Sequence, residues 1–208
     1  LRVGLKSIDS QLLDVAGIEY LLSSIKINNS KFKLVFSGDY YNIYKNLKFS
    51  EKIFFPSKVY KIDNYLERLN FLNSGNIDIN KEIVVENENL LISNDNIEDW
   101  KINKIRKDNF IKVMTKTNGE GILFLRENHH PGWSAEINGK KTNIYRANHL
   151  FMAIKIPTGE NKIIFKFKPP FIKIGTILTS ISIILIFLII FLNFKYVRNY
   201  LTKKESIS

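Results

Sequence analysis

The sequence predicts a mainly β (α+β) protein: a jelly-roll-like β-sandwich with two short helices, followed by one C-terminal transmembrane helix. Three observations carry this. Short segments of alternating apolar and polar residues recur along the chain, separated by Gly, Pro, Asn and Asp turn signals. Two other segments have helical spacing. Between Lys173 and Lys195 lie 21 residues without a charge.

From the N-terminus, Ser7 to Ala16 reads as a short helix capped by Ser7 or Asp9, with Leu12, Leu13 and Ala16 as its apolar face and Gly17 as its stop. Ile18 to Leu22 reads as a strand. Lys31 to Phe36 alternates, with Phe32, Leu34 and Phe36 on one face; Ser37-Gly38-Asp39 turns the chain and Tyr40 to Asn46 returns as a hairpin. Lys52 to Ile62 is extended, and Pro56 must place it at an edge or break it in two. Asp63 to Asn73 is the best soluble helix, with Asp63 as cap, Tyr65, Leu66, Leu69 and Leu72 as its stripe, and Asn73-Ser74-Gly75 as its end.

The second half is nearly all strand. Ile83 to Val85 is a short strand, and Trp100 to Arg106 with Asn109 to Thr115 form a hairpin about Lys107-Asp108. Gly121 to Glu127 is a strand. Ser134 to Asn138 and Lys141 to Tyr145 flank Asn138-Gly139, the strongest short hairpin signal. Leu150 to Ile156 and Lys162 to Lys168 flank the turn Pro157-Thr158-Gly159-Glu160. Pro169-Pro170 ends the sheet region. The chain divides into residues 1–119, an N-terminal α+β part; 120–170, a C-terminal β-sandwich part; 174–194, the membrane helix; and 195–208, a tail.

Ile174 to Phe194 makes a helix of about 31 Å, close to the hydrocarbon thickness of a bilayer. A core helix of that length keeps a polar stripe for solvent. Here the polar groups are Thr176, Thr179, Ser180, Ser182 and Asn193, and hydroxyls can return their hydrogen bonds to the helix backbone. Four basic residues precede the span closely and four follow it, so the positive-inside bias sets no orientation. The chain opens at Leu1 without methionine or export signal. Two arrangements are open: a tail-anchored cytosolic protein, or the C-terminal piece of a longer one.

The net charge is +11, of which the tail after the span carries +3, leaving +8 before it. That suits anionic lipid or an anionic polymer. The lysines are scattered among Asn and Ile rather than clustered, which argues against nucleic acid. With no cysteine, disulfide scaffolds, Cys-ligated zinc and thiol catalysis are excluded.

The densest constellation is Glu127-Asn128-His129-His130-Pro131-Gly132-Trp133. Adjacent side chains on an extended segment point to opposite faces, so His129 and His130 cannot easily share one metal ion, and no metal site is expected. Pro131-Gly132 makes a turn and Trp133 either packs into the sandwich or offers its face to a sugar. Asp95, Glu98 and Asp99 read as solvated charge in a polar loop. There is no P-loop, no Rossmann glycine pattern and no Gly-x-Ser-x-Gly elbow, hence no catalytic set and no cofactor.

Pro131-Gly132-Trp133, Asn138-Gly139, Asn148, Pro157-x-Gly159, Pro169 and the final span from Ile174, in that order and spacing, resemble the C-terminal end of the YfhO family of bacterial multi-spanning membrane proteins. Leu12 to Ser24 and Tyr44 to Phe55 are similar to that family's N-terminal segments of this region, with Glu51 and Lys52 where Pro and Arg are usual and His129-His130 in place of a tyrosine pair. The family's fold resembles that of lipid-linked-sugar glycosyltransferases of the C superfamily, whose catalytic carboxylates lie in early loops that this chain lacks. The resemblance implies a domain outside the cell membrane, the last span returning residues 195–208 to the cytoplasm, and a supporting role in glycosylating a cell-envelope polymer such as teichoic acid. Its implied partners are the lipid bilayer, a lipid-linked sugar and the anionic polymer. Trp133, His129, His130, Glu127 and Asn148 are the expected sugar or acceptor contacts. A purely structural domain, or a tail-anchored binding module, are the alternatives.

Overall fold

The computed structural model describes residues 8–49, 52–86, 90, 101–107 and 109–205. Ser7, Trp100 and the acidic residues Asp95, Glu98 and Asp99 lie outside these. The chain forms two compact units, Leu1–Phe167 and Lys168–Ser208.

The first unit contains fourteen described strands: β1 (Tyr20–Ser23), β2 (Phe32–Ser37), β3 (Asn42–Asn46), β4 (Ile53–Phe54), β5 (Lys58–Lys61), β6 (Glu82–Val85), β7 (Lys101–Lys107), β8 (Phe110–Thr117), β9 (Gly121–Leu125), β10 (Trp133–Ile137), β11 (Lys140–Thr142), β12 (Tyr145–Ala147), β13 (Phe151–Ile156) and β14 (Gly159–Phe167). They make three sheets, ordered β1-β3-β2, β11-β10-β14-β8-β7 and β4-β9-β13-β12-β6-β5. The mainly β class read from the sequence is the one observed.

The six-stranded and five-stranded sheets face each other. Leu123, Leu125, Met152, Ile154 and Ile156 of the first pack against Ile111, Val113, Ala135, Ile137, Ile163 and Phe165 of the second. The opposite face of the six-stranded sheet is also covered: Ile122, Phe124, Phe151 and Ala153 meet Phe71 and Leu72 of helix α2 (Tyr65–Asn73). All five residues of β9 are therefore buried. A strand covered on both faces reads as a continuous apolar run, and Gly121-Ile-Leu-Phe-Leu125 is one.

Pro56 breaks the extended segment in two, as its chemistry requires. The consequence is topological: β4 and β5 occupy the two opposite edges of the six-stranded sheet. Phe54 and Lys58 are four residues apart, about 14 Å at full extension. Six flat strands would hold their edges about 24 Å apart. The sheet therefore curls so that its edges approach. Phe54 joins one core and Phe55 the other.

Several local expectations are corrected. The first helix, α1, is only Leu12–Val15, and Asp9 does not cap it; the Ser10 hydroxyl accepts from the Leu12 N–H at 3.3 Å instead. Gly17 ends it with φ 70° and the paired Gly17 N–H to Asp14 carbonyl and Ile18 N–H to Leu13 carbonyl bonds, which only a residue at ease with positive φ closes without cost. Asn64, not Asp63, caps α2, its side-chain oxygen accepting from Leu66 and Glu67 N–H. The inward face of α2 is Arg68 and Leu72, while Tyr65 and Leu66 are exposed. Arg68 is drawn in because its guanidinium donates to the Ile62 and Asp63 carbonyls and meets Glu86 at 2.8 Å. Lys141 to Tyr145 is not one strand: β11 pairs with β10 in one sheet and β12 with β13 in the other. The turn after Pro157 also changes sheets, carrying the chain from β13 to β14. The strand from Gly121 stops at Leu125.

Helix α3 runs Ile172–Glu205, and its first part, Ile172–Lys195, is long and apolar enough to cross a membrane. Thr176, Thr179, Ser180 and Ser182 each donate to the carbonyl four residues earlier, at 2.7 to 2.9 Å, as expected of hydroxyls that must be satisfied in lipid.

Asp14 (4% exposed) and Lys31 (7% exposed) form a buried ion pair of 2.9 Å. Asn46 donates to the same carboxylate at 2.7 Å, and the Lys31 ammonium also donates to the Ser10 carbonyl. Removing one partner strands the other charge. We expect Asp14→Ala to lower stability by about 3–5 kcal/mol, and Asp14→Ala with Lys31→Met to recover part of that loss. Thermal unfolding of the detergent-solubilised chain measures both; an additive double variant refutes the coupling.

Candidate functional site

Beyond the end of β9 the chain crosses to the five-stranded sheet, and this crossing builds a cleft. Pro131-Gly132 forms the expected turn, the Trp133 N–H donating to the His130 carbonyl at 3.0 Å. The Gly132 N–H donates to His130 Nδ1 at 3.0 Å. That bond makes Nδ1 the acceptor and leaves Nε2–H of the neutral imidazole as a donor. Trp133 opens β10 and lies in register with Phe167, the last residue of β14. Their rings stand 5.1 Å apart, and the His130 ring meets Phe167 edge-on at 5.4 Å.

The polar wall comes from another hairpin. Arg106 of β7 grips Glu127 with two nitrogens, at 2.5 and 3.4 Å. Asn109 and Asn128 complete the lining, and the cleft has a volume of about 280 Å³. Aromatic faces beside a fixed guanidinium–carboxylate pair and two amides are the groups that stack on a sugar ring and bond its hydroxyls. The Arg106 guanidinium and the Glu127 carboxylate hold each other at the cleft wall.

Three of the residues singled out from the sequence therefore meet: Trp133, His130 and Glu127. The other two do not line this cleft. His129 points the other way, as adjacent residues on an extended segment must, with its ring bonded to the Ile144 carbonyl and near Arg146. Asn148 is buried, with φ 45°. Its side-chain oxygen accepts from the Val84 N–H and its own N–H donates to the Val84 carbonyl, both at 2.8 Å. It thus continues the pairing of β12 with β6 and is satisfied there.

Sequence reasoning missed Arg106, Asn109 and Phe167. Their signal is weak: a charged residue near the end of a strand and an aromatic residue before a proline pair. Only the register of β7 with β8 and of β14 with β10 brings them to Trp133. A second cavity, about 420 Å³ and mostly apolar, lies between α1, α2 and the β12–β13 turn, with His149 and Tyr65 at its wall. His149 has φ 70°, and the Leu150 N–H donates to the Asn148 carbonyl across it, a tight γ-turn. Among the described residues no three His, Cys, Asp or Glu side chains are grouped to hold a metal.

Burial lowers the pKa of both His129 and His149 below the ordinary imidazole value. Arg146 adds to the effect at His129, and Arg68 at His149. A depressed folded-state pKa means the unfolded chain binds protons more readily, so this contribution to stability is full above about pH 6.5 and falls away as pH drops through the folded-state values. We expect the unfolding midpoint to decline from pH 7.5 to 5.5, and the decline to shrink in a His129→Gln, His149→Gln double variant. An unchanged slope in that variant removes the histidines from the account.

The family described as bacterial membrane protein YfhO matches residues 20–179. An uncharacterized protein YfhO of Bacillus subtilis (strain 168) is 37% identical over 54 residues, which is 26% of this chain and 6% of that protein. The aligned stretch is thus a small fraction of the relative's length. No solved structure matches.

Proposed function

This chain belongs to the YfhO family of bacterial membrane proteins, and from that premise we propose that it is the extracytoplasmic C-terminal domain and last span of a polytopic protein resembling lipid-linked-sugar glycosyltransferases. Its part is to hold the acceptor, an anionic cell-envelope polymer such as teichoic acid, while a lipid-linked sugar is transferred by a centre elsewhere in the protein. The observation that supports this best is the cleft of Trp133, His130 and Phe167 against the Arg106–Glu127 pair. Four residues separate Phe167, the last residue of β14, from the start of α3 at Ile172. The charge of +8 before the span favours a polyanion.

Trp133 also packs on the sandwich core, which favours a second reading, a structural domain that stabilises its membrane core. Two measurements separate them. The full chain in detergent, titrated with teichoic acid, is expected to bind at low salt and to weaken as salt rises. Trp133→Ala is expected to weaken that binding about fivefold or more, with abundance nearly unchanged in cells and glycosylation lost. No binding at low salt overturns the acceptor role; lost abundance with retained glycosylation per molecule supports the structural one.

Topology has its own check. The chain has no cysteine, so Asn118→Cys carries a single thiol. We expect an impermeant thiol reagent to label it in intact cells. Labelling only after lysis supports a tail-anchored cytosolic protein and overturns the proposed orientation.

A further inference from the structure

The three-stranded sheet has one face turned to its own small core of Leu13, Phe32 and Tyr44. Its other face has no cover among the described residues. Register builds that outer face in rows. Leu22, Ile43 and Phe36 lie abreast, and beside them Tyr20, Lys45 and Lys33. Phe36 carries Tyr41 against its ring at 5.8 Å, and Tyr40 at the hairpin tip is 86% exposed. Tyr20, Leu22 and Phe36 are likewise exposed. Such a contiguous apolar face in a soluble unit marks a surface that binds something.

The lysines say what. Lys33 and Lys45 are directly opposite each other across β2 and β3, where like charges destabilise a sheet. The Glu19 carboxylate reaches Lys45 at 3.8 Å, and Lys33 has no ion pair among the described residues. Two facing cations within an apolar and aromatic face are poor material for a protein contact, whose core is depleted in lysine. A two-fold contact between copies would set the same lysines against one another. Tyrosine, leucine, phenylalanine and lysine together suit the boundary between anionic headgroups and acyl chains. The bilayer is also at hand, since the same chain carries Ile172–Lys195.

We propose that the outer face of the β1-β3-β2 sheet docks on the surface of an anionic membrane, Phe36, Tyr40 and Leu22 entering the interface and Lys33 and Lys45 meeting lipid phosphates. The domain is then held to the bilayer at two places, the α3 anchor and this sheet. This surface is separate from the Trp133 cleft and stands or falls without it.

The test uses the full chain reconstituted in phosphatidylcholine vesicles with or without a third of phosphatidylglycerol. A polarity-sensitive dye is attached at Tyr40→Cys, and, as reference, at Lys140→Cys on the five-stranded sheet. The Tyr40 dye is expected to shift to the blue and to be quenched by headgroup nitroxide lipids in the anionic vesicles, while the Lys140 dye stays in water. Lys33→Gln with Lys45→Gln, with circular dichroism unchanged, is expected to lower the docked-to-free ratio roughly thirtyfold, the usual scale for two lysines at an anionic surface. A Tyr40 dye as accessible to aqueous quencher as the Lys140 dye in both vesicle types overturns the proposal. So does protection that follows protein density instead of lipid charge, which assigns the face to a second copy.

Discussion

The six-stranded sheet must be dry on both faces, and most of the architecture serves that requirement. Its strands β9 and β13 bury nearly every side chain. Each fully buried Leu, Ile or Phe is worth about 1.5–3 kcal/mol relative to exposure, so a face left open would forfeit much of the fold's stability. The five-stranded sheet covers one side and α2 the other. To reach its place α2 must follow β5 and precede β6, which is why those two strands run parallel, whereas the other described pairs are antiparallel. The Arg68 guanidinium, drawn in with the helix, then donates to two backbone carbonyls and meets Glu86.

This constraint also explains what could be read in advance. Ile174 to Phe194, the Asn138-Gly139 hairpin, β2 with β3 and β7 with β8 were legible because their determinants are local: period, charge absence and turn chemistry. Asn138 and Gly139 take φ of 51° and 82°, the conformation that a two-residue hairpin turn needs. What a sequence does not encode locally is which sheet a strand joins. The turn at Pro157 looks the same whether it closes a hairpin or leads the chain from one sheet to another. Charged residues mislead in the same way. Asp14, Lys31 and Arg68 are charged yet buried, because each finds a partner that lies well away in sequence.

The cleft shows the same division. Pro131-Gly132-Trp133 announces a turn and an aromatic start to a strand, and both are present. The guanidinium that fixes Glu127 comes from a hairpin about 20 residues upstream, and Phe167 from the last strand; pairing register alone brings them together. Asn148 shows the converse. It has the look of a ligand contact, a polar residue before an apolar strand, yet its amide oxygen completes a backbone ladder. Buried polar groups are normally satisfied within the protein, and that requirement accounts for it.

The three-residue link around Pro56 has one more effect. By sending β4 and β5 to opposite margins, it leaves the most apolar sheet bounded by strands of only two and four residues. Unpaired strand margins are templates on which other chains can polymerise, and short ones template poorly. The segment that breaks the strand thus acts as a gatekeeper against amyloid-like growth, placed beside the sequence most prone to it. The longer margin of β7 and the two flanks of the small N-terminal sheet are left as the places where intermolecular strand addition would find purchase.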